Sequence, residues 1–91
     1  MTMNLYTIVF EFRGGTYIGQ AASISPKEAT VSWAKTITQS QLSEWKLDKE
    51  RFIERVYAGD VTDVAGCIGV WCLSETINGH LALINVIHTH R

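Results

Sequence analysis

The amino-acid sequence predicts a single α+β domain spanning residues 1–91. It has two layers, ββα(α)ββ, with an antiparallel sheet of about four strands and helices packed on one face. Three stretches carry that expectation. "LYTIVFEFRGGTYIGQAASI" alternates apolar and polar residues on either side of a Gly-Gly pair, as the two arms of a hairpin do. "SISPKEATVSWAKTITQS" opens with helix-start residues and then repeats its apolar positions at helical spacing. "CIGVWCLSETINGHLALINVIHTHR" alternates about Asn-Gly, the strongest short hairpin signal.

The first strand is expected over Leu5–Phe12 and the second over Thr16–Ile24. Gly14-Gly15 suits the two-residue turn between them, because both central positions of the favoured turn need positive φ. In that register Phe12 faces Tyr17 and Phe10 faces Gly19. One face then carries Tyr6, Ile8, Phe10, Phe12, Tyr17 and Ala21 and is expected to face the core. The other mixes Thr7, Glu11, Arg13, Thr16 and Gln20 with Leu5, Val9 and Ile18, and is expected to be mostly wet. The aromatic stripe is assigned to the core and not to base stacking, since no basic cluster interleaves with it.

Ser25 is a good N-cap, Pro26 suits the first helical position, and Glu28 stands where a capping box wants it. Ala29, Trp33 and Ile37 recur every four residues with Ala34 beside them, so a helix is predicted from Pro26 to about Ser40. Asp48 is expected to cap a second, shorter helix, with Phe52, Ile53, Val56 and Tyr57 inward and Gly59 ending it. Leu42, Trp45 and Leu47 either form a turn of helix between the two or continue the first. "DVTDVAG" is then a loop into the last hairpin.

A two-residue loop at Asn78-Gly79 pairs Ile77 with His80, Leu73 with Ile84, Trp71 with Val86, Gly69 with His88 and Cys67 with His90. One face holds Cys67, Trp71, Leu73, Ile77, Ala82, Ile84 and Val86, with Glu75 and the three histidines. The other holds Ile68, Val70, Cys72, Leu81, Leu83 and Ile87. Both are apolar at the centre, whereas an antiparallel sheet covered on one side normally leaves the other polar. A second copy of the chain is the economical cover, with Ile68, Val70, Leu81, Leu83 and Ile87 as the expected interface and a homodimer as the favoured state. The alternative is a sheet curled around its own helix.

Composition bounds the function classes. At 91 residues the chain buries a modest core, and a partner would add to its stability. A net charge of −1 offers no field to recruit nucleic acid or an anionic membrane. The N-terminal segment lacks a cationic region and its apolar run is broken by Glu11 and Arg13, so neither a secretory leader nor a membrane span is expected. Cys67 and Cys72, on one straight strand, would point to opposite faces about 16 Å apart, beyond disulfide reach. A reducing, cytoplasmic setting follows from that.

Candidate chemistry gathers at the end of the last hairpin. Cys67, His88 and His90 share a face in the expected register, a thiolate and two imidazoles that form a three-ligand zinc set with an open position. Cys67 with a histidine also has the parts of a nucleophile and base, without a third orienting group. Glu11, Glu75, Asp60 and Asp63 are the candidate carboxylates, the aspartates sitting in the expected loop. No phosphate-binding glycine loop, G-x-S-x-G or H-E-x-x-H occurs.

The order of elements, a hairpin leading to a capped helix and then more strands, resembles that of several small α+β groups. Antitoxin-like domains of bacterial toxin pairs are among them. The likeness lies in that order alone, and no residue's role follows from it. The leading expectation is a non-catalytic, homo-oligomeric cytoplasmic protein whose assembled surface binds a protein or a small ligand. The alternatives are a small metal-binding protein or enzyme using Cys67, His88 and His90, and a nucleic-acid-associated regulator.

Overall fold

In the computed structural model, which describes residues 2–89, three helices cover one face of a single antiparallel sheet. The chain runs β1 (Asn4–Phe12), β2 (Gly15–Ser23), α1 (Pro26–Thr36), α2 (Gln39–Trp45) and α3 (Lys49–Ala58). It then continues through β3 (Thr62–Asp63), β4 (Val70–Ile77) and β5 (His80–Thr89). The strand order β2-β1-β5-β4-β3 sets the two hairpins side by side through β1 and β5. The α+β class is the one expected, with a fifth strand inside "DVTDVAG", where the sequence predicts a loop. That strand is two residues long, pairing Thr62 with Cys72 and Asp63 with Trp71.

Both hairpins turn through two residues of positive φ: Arg13 at 50° and Gly14 at 82°, Asn78 at 51° and Gly79 at 78°. These are the signs of the turn whose twist matches paired strands. The first turn therefore falls one residue before the expected Gly14-Gly15, pairing Phe12 with Gly15 and Phe10 with Tyr17. Gly15 belongs to β2 because the Tyr17 ring lies across it, leaving no room for a β-carbon. The slip along β2 is two residues, so each side chain keeps its expected face.

The second hairpin has the expected pairs Ile77–His80, Leu73–Ile84 and Trp71–Val86. Its first strand starts later than expected, at Val70. Gly66 and Gly69 have φ of 81° and 74°, and the Cys67 N–H donates to the Val64 carbonyl at 3.1 Å, so Cys67 sits in a turn. The His88 N–H still reaches the Gly69 carbonyl at 2.8 Å.

Helix α1 begins as its sequence requires. Ser25 is extended, and its Oγ accepts from the Glu28 N–H at 3.1 Å, with Pro26 first in the helix. It ends at Thr36 and not near Ser40. The β-branched run Thr36-Ile37-Thr38 is a poor helix former, and Thr38 turns its hydroxyl to the Gln41 N–H at 3.2 Å, capping α2 instead. Lys46 then adopts the left-handed conformation, and Asp48 caps α3 through the Arg51 N–H at 3.1 Å. Of the side chains expected inward on α3, Phe52 and Val56 are buried and Ile53 partly so. Tyr57 is 66% exposed, its ring 5.8 Å from the Lys27 ammonium.

The core is an aromatic cluster centred on Phe10, which is fully buried. Its ring centroid lies 5.6 Å from Phe12, 6.2 Å from Tyr17, 5.4 Å from Trp33, 5.1 Å from Trp45 and 5.6 Å from Phe52. One side chain thus joins β1, β2 and all three helices. Trp33 reaches it by crossing Gly19, where a β-carbon would stand 2.6 Å from the indole. Around this hub Ile8, Leu42, Leu73, Ile84 and Val86 close the interior.

Two substitutions test these assignments. Phe10→Ala should cost about 3–5 kcal/mol by creating a cavity that five rings share, a large fraction of the roughly 5–15 kcal/mol that stabilises a typical domain. Chemical denaturation followed by tryptophan fluorescence measures it. Ser25→Ala should cost about 0.5–2 kcal/mol, and an unchanged denaturation midpoint would remove Ser25 as the cap of α1.

Candidate interaction surface

Among the described residues, one face of the sheet has no covering layer. It carries Leu5, Val9, Ile18, Leu83 and Ile87 from the three strands β1, β2 and β5, and Val70 and Cys72 from β4. The register lines these up in rows across the sheet. Ile18, Val9, Asn85 and Cys72 form one row, and Gln20, Thr7, Ile87 and Val70 the next. Thr16, Glu11, Leu83 and Ser74 form a third. Ile18 is 70% and Leu81 61% exposed, while the side chains between them shield one another to half-burial.

Several polar groups on this face bond to neighbours on the sheet. Gln20 Nε2 donates to Thr7 Oγ1 at 3.1 Å, and the Thr7 and Thr89 hydroxyls lie 2.5 Å apart. Thr62 Oγ1 donates to the Cys72 carbonyl at 3.3 Å. Polar atoms already paired lose less when a surface is dehydrated than free ones do. Charge is sparse: among the described residues Glu11 is the one charged side chain within the strands of this face, and Arg13 stands in the turn at its edge, beside Leu81 and Leu83. Eleven of the chain's charged residues lie instead between Lys27 and Arg55, on and between the helices. Depletion of charge at the centre with apolar side chains at hand is what distinguishes interface cores from ordinary surface.

Of the residues singled out from sequence, Val70, Leu81, Leu83 and Ile87 lie together on this face. Ile68 is in the turn ahead of β4, fully exposed. Leu5, Val9 and Ile18 join them because β1 pairs with β5, and the sequence signal for them was the apolar minority on the first hairpin's wet side. The strand order was what sequence reasoning lacked.

The candidate metal and carboxylate residues are distributed differently. Cys67 is exposed in its turn, both cysteines are free, and His90 lies outside the described residues. His88 is on the helix-bearing face, its ring 5.7 Å from Tyr6. Among the described residues no three histidine, cysteine, aspartate or glutamate side chains converge. Glu75 pairs with Arg55 at 3.5 Å, Asp63 lies in β3, Asp60 is in the loop before it, and Glu11 is on the opposite face. The cleft between the α2–α3 turn and the β4–β5 turn is held by Asn78 Nδ2 donating to the Lys46 carbonyl at 3.0 Å. At about 150 Å³ it is smaller than the roughly 300 Å³ at which small-molecule sites begin.

No helix among the described residues is long and apolar enough to cross a membrane. No family model, curated protein or solved structure matches the chain.

Proposed function

We propose that the protein is a small, non-catalytic homodimeric domain of the cytoplasm, two copies stacking through the uncovered sheet face. The assembled particle then presents its helices and sheet edges to a protein partner. The observation that carries this reading is the segregation of charge: the helical side is densely charged, and the broad face behind it has one carboxylate among apolar and internally bonded side chains. Four long strands about 4.8 Å apart and eight or so residues long give a face on the order of 500 Å² in projection. That approaches the roughly 800 Å² of accessible surface each partner contributes to a standard interface. The charges that would oppose stacking reduce to Glu11, whose neighbours across the sheet are Thr16 and Leu83, and to Arg13 in the turn beside it, which is of opposite sign.

Leu83 and Ile84 are adjacent in β5 but point to opposite faces, the first half-buried on the open side and the second 1% exposed in the core. Leu83→Lys should give a folded monomer, and Ile84→Lys should abolish the fold, because an unpaired charge inside the core is unfavourable by several kcal/mol. Light scattering and circular dichroism on both variants read the two outcomes. A wild-type protein that stays monomeric at millimolar concentration would sink the dimer.

A further inference from the structure

We infer that the free edge of β2 is a docking site for an extended, uncharged segment of another polypeptide, which adds a strand to the sheet and seats one large apolar side chain beside Gly19. The inference stands apart from face-to-face pairing and would hold for a monomer.

The two edges of the sheet are built differently. At the β4 edge, Thr62 pairs with Cys72, and the Val64 N–H donates to the Val70 carbonyl at 3.0 Å. Further along, Glu75 and its partner Arg55 line the edge region, so half of it is paired and half is charged. Those are the ordinary means of stopping an edge from recruiting another strand. The β2 edge has neither. It is nine residues long, "GTYIGQAAS", with no proline and no charge, and no described strand pairs with the side turned away from β1.

The turn geometry says which groups are free. In a two-residue hairpin the residues flanking the loop, Phe12 and Gly15, exchange hydrogen bonds, and alternate pairs follow. Tyr17, Gly19 and Ala21 therefore face β1 with their backbone groups, and Thr16, Ile18 and Gln20 present theirs outward. Alongside them a groove of about 510 Å³ runs between β2 and the junction of α1 with α2. Trp33, Ile37, Trp45 and Tyr17 line its depth, and Thr38 and Gln41 line its rim. None of its lining residues is charged, in a chain where 19% of residues are. The nearest carboxylate, Glu44, lies outside the lining and is bonded to Gln41 at the rim at 3.4 Å, so a charged side chain entering the depth between Trp33, Ile37 and Trp45 would meet no counter-ion there, and the seated side chain is neutral.

A strand added to β2 aims alternate side chains into this groove, the arrangement in which backbone bonds give affinity and side-chain seats give specificity. A second copy of β2 does not fill it. On the helix-facing side β2 offers Gly15, Gly19, Ala21 and Ser23. Its one large residue there, Tyr17, is already packed on Trp45 of its own subunit at 4.7 Å between ring centroids. The groove asks for a large side chain, which must come from a different sequence.

The test is to pan phage-displayed random nine-residue peptides on the whole protein, then titrate the enriched peptide into ¹⁵N-labelled protein. Enriched sequences should be uncharged and alternating, with one aromatic or large aliphatic residue. Amide shifts should concentrate at Thr16, Ile18, Gln20, Thr38 and Gln41. Ile18→Pro removes an outward N–H that the monomer does not use, and Gln41→Glu puts a charge on the rim. Each should weaken binding at least tenfold while circular dichroism stays native; should Ile18→Pro fail to fold, Gln41→Glu decides alone. No enrichment, shifts mapping to the open sheet face or the β4 edge, or folded variants that bind like wild type would overturn the site. So would amide protons of Thr16, Ile18 and Gln20 already protected, with concentration dependence, before any peptide is added, since a second copy would then hold the edge. Light scattering reads face pairing separately, so failure of one proposal is visible without failure of the other.

Discussion

Everything in this fold is arranged about the Phe10 ring. Rings from β1, β2, α1, α2 and α3 all meet it within about 6 Å. Edge-to-face contacts of this kind add to the burial of large apolar area, so the cluster both attracts the helices and orients them. Its geometry also sets a condition on β2: Trp33 arrives only because Gly19 has no side chain. With three short helices drawn to one face, none of the described elements covers the other. The open face is a consequence of where the aromatics are.

The sequence was most legible where local chemistry decides. Ser25-Pro26 marks the start of α1, Asp48 the start of α3, and Asn78-Gly79 the second turn, each because one side chain or one φ sign determines the outcome. It was less legible where two local rules compete. Arg13-Gly14 and Gly14-Gly15 both satisfy a tight turn, and only the Tyr17 ring folding over Gly15 selects the first. The apolar repeat through Ile37 continues past the end of α1, but the Thr38 hydroxyl takes the Gln41 N–H and starts a new helix. Tyr57 sits at a position compatible with the inward stripe of α3, yet α3 packs inward through Phe52 and Val56 with Ile53 beside them, and Tyr57 lies near Lys27 instead.

The candidate surface was half legible for a different reason. Alternation within the last hairpin identified Val70, Leu81, Leu83 and Ile87 as a set, because faces follow from parity once the turn is known. Leu5, Val9 and Ile18 could be added only by knowing that β1 pairs with β5, a contact between segments some seventy residues apart. Nothing local encodes it. The Cys67 grouping depended on continuing the strand through Gly69, and Gly69 at positive φ bends the chain into a turn there.

The distribution of charge links the fold to an assembly. A sheet face that meets only water gains by carrying charges along its strands, which also keep strands from pairing out of register or with other chains. This chain has the charges to do so and keeps them among its helices, while Thr7, Gln20 and Thr89 satisfy one another's polar groups on the sheet. A hydrogen-bonded threonine–glutamine row loses little when water leaves, whereas a lysine or glutamate in the same place would lose its solvation without a partner. The face is thus cheap to dehydrate, as a surface in permanent contact with water need not be. The same reasoning separates the two sheet edges: the one beside Arg55 and Glu75 resists a new strand, and the one beside Trp33 and Gly19 has nothing that would.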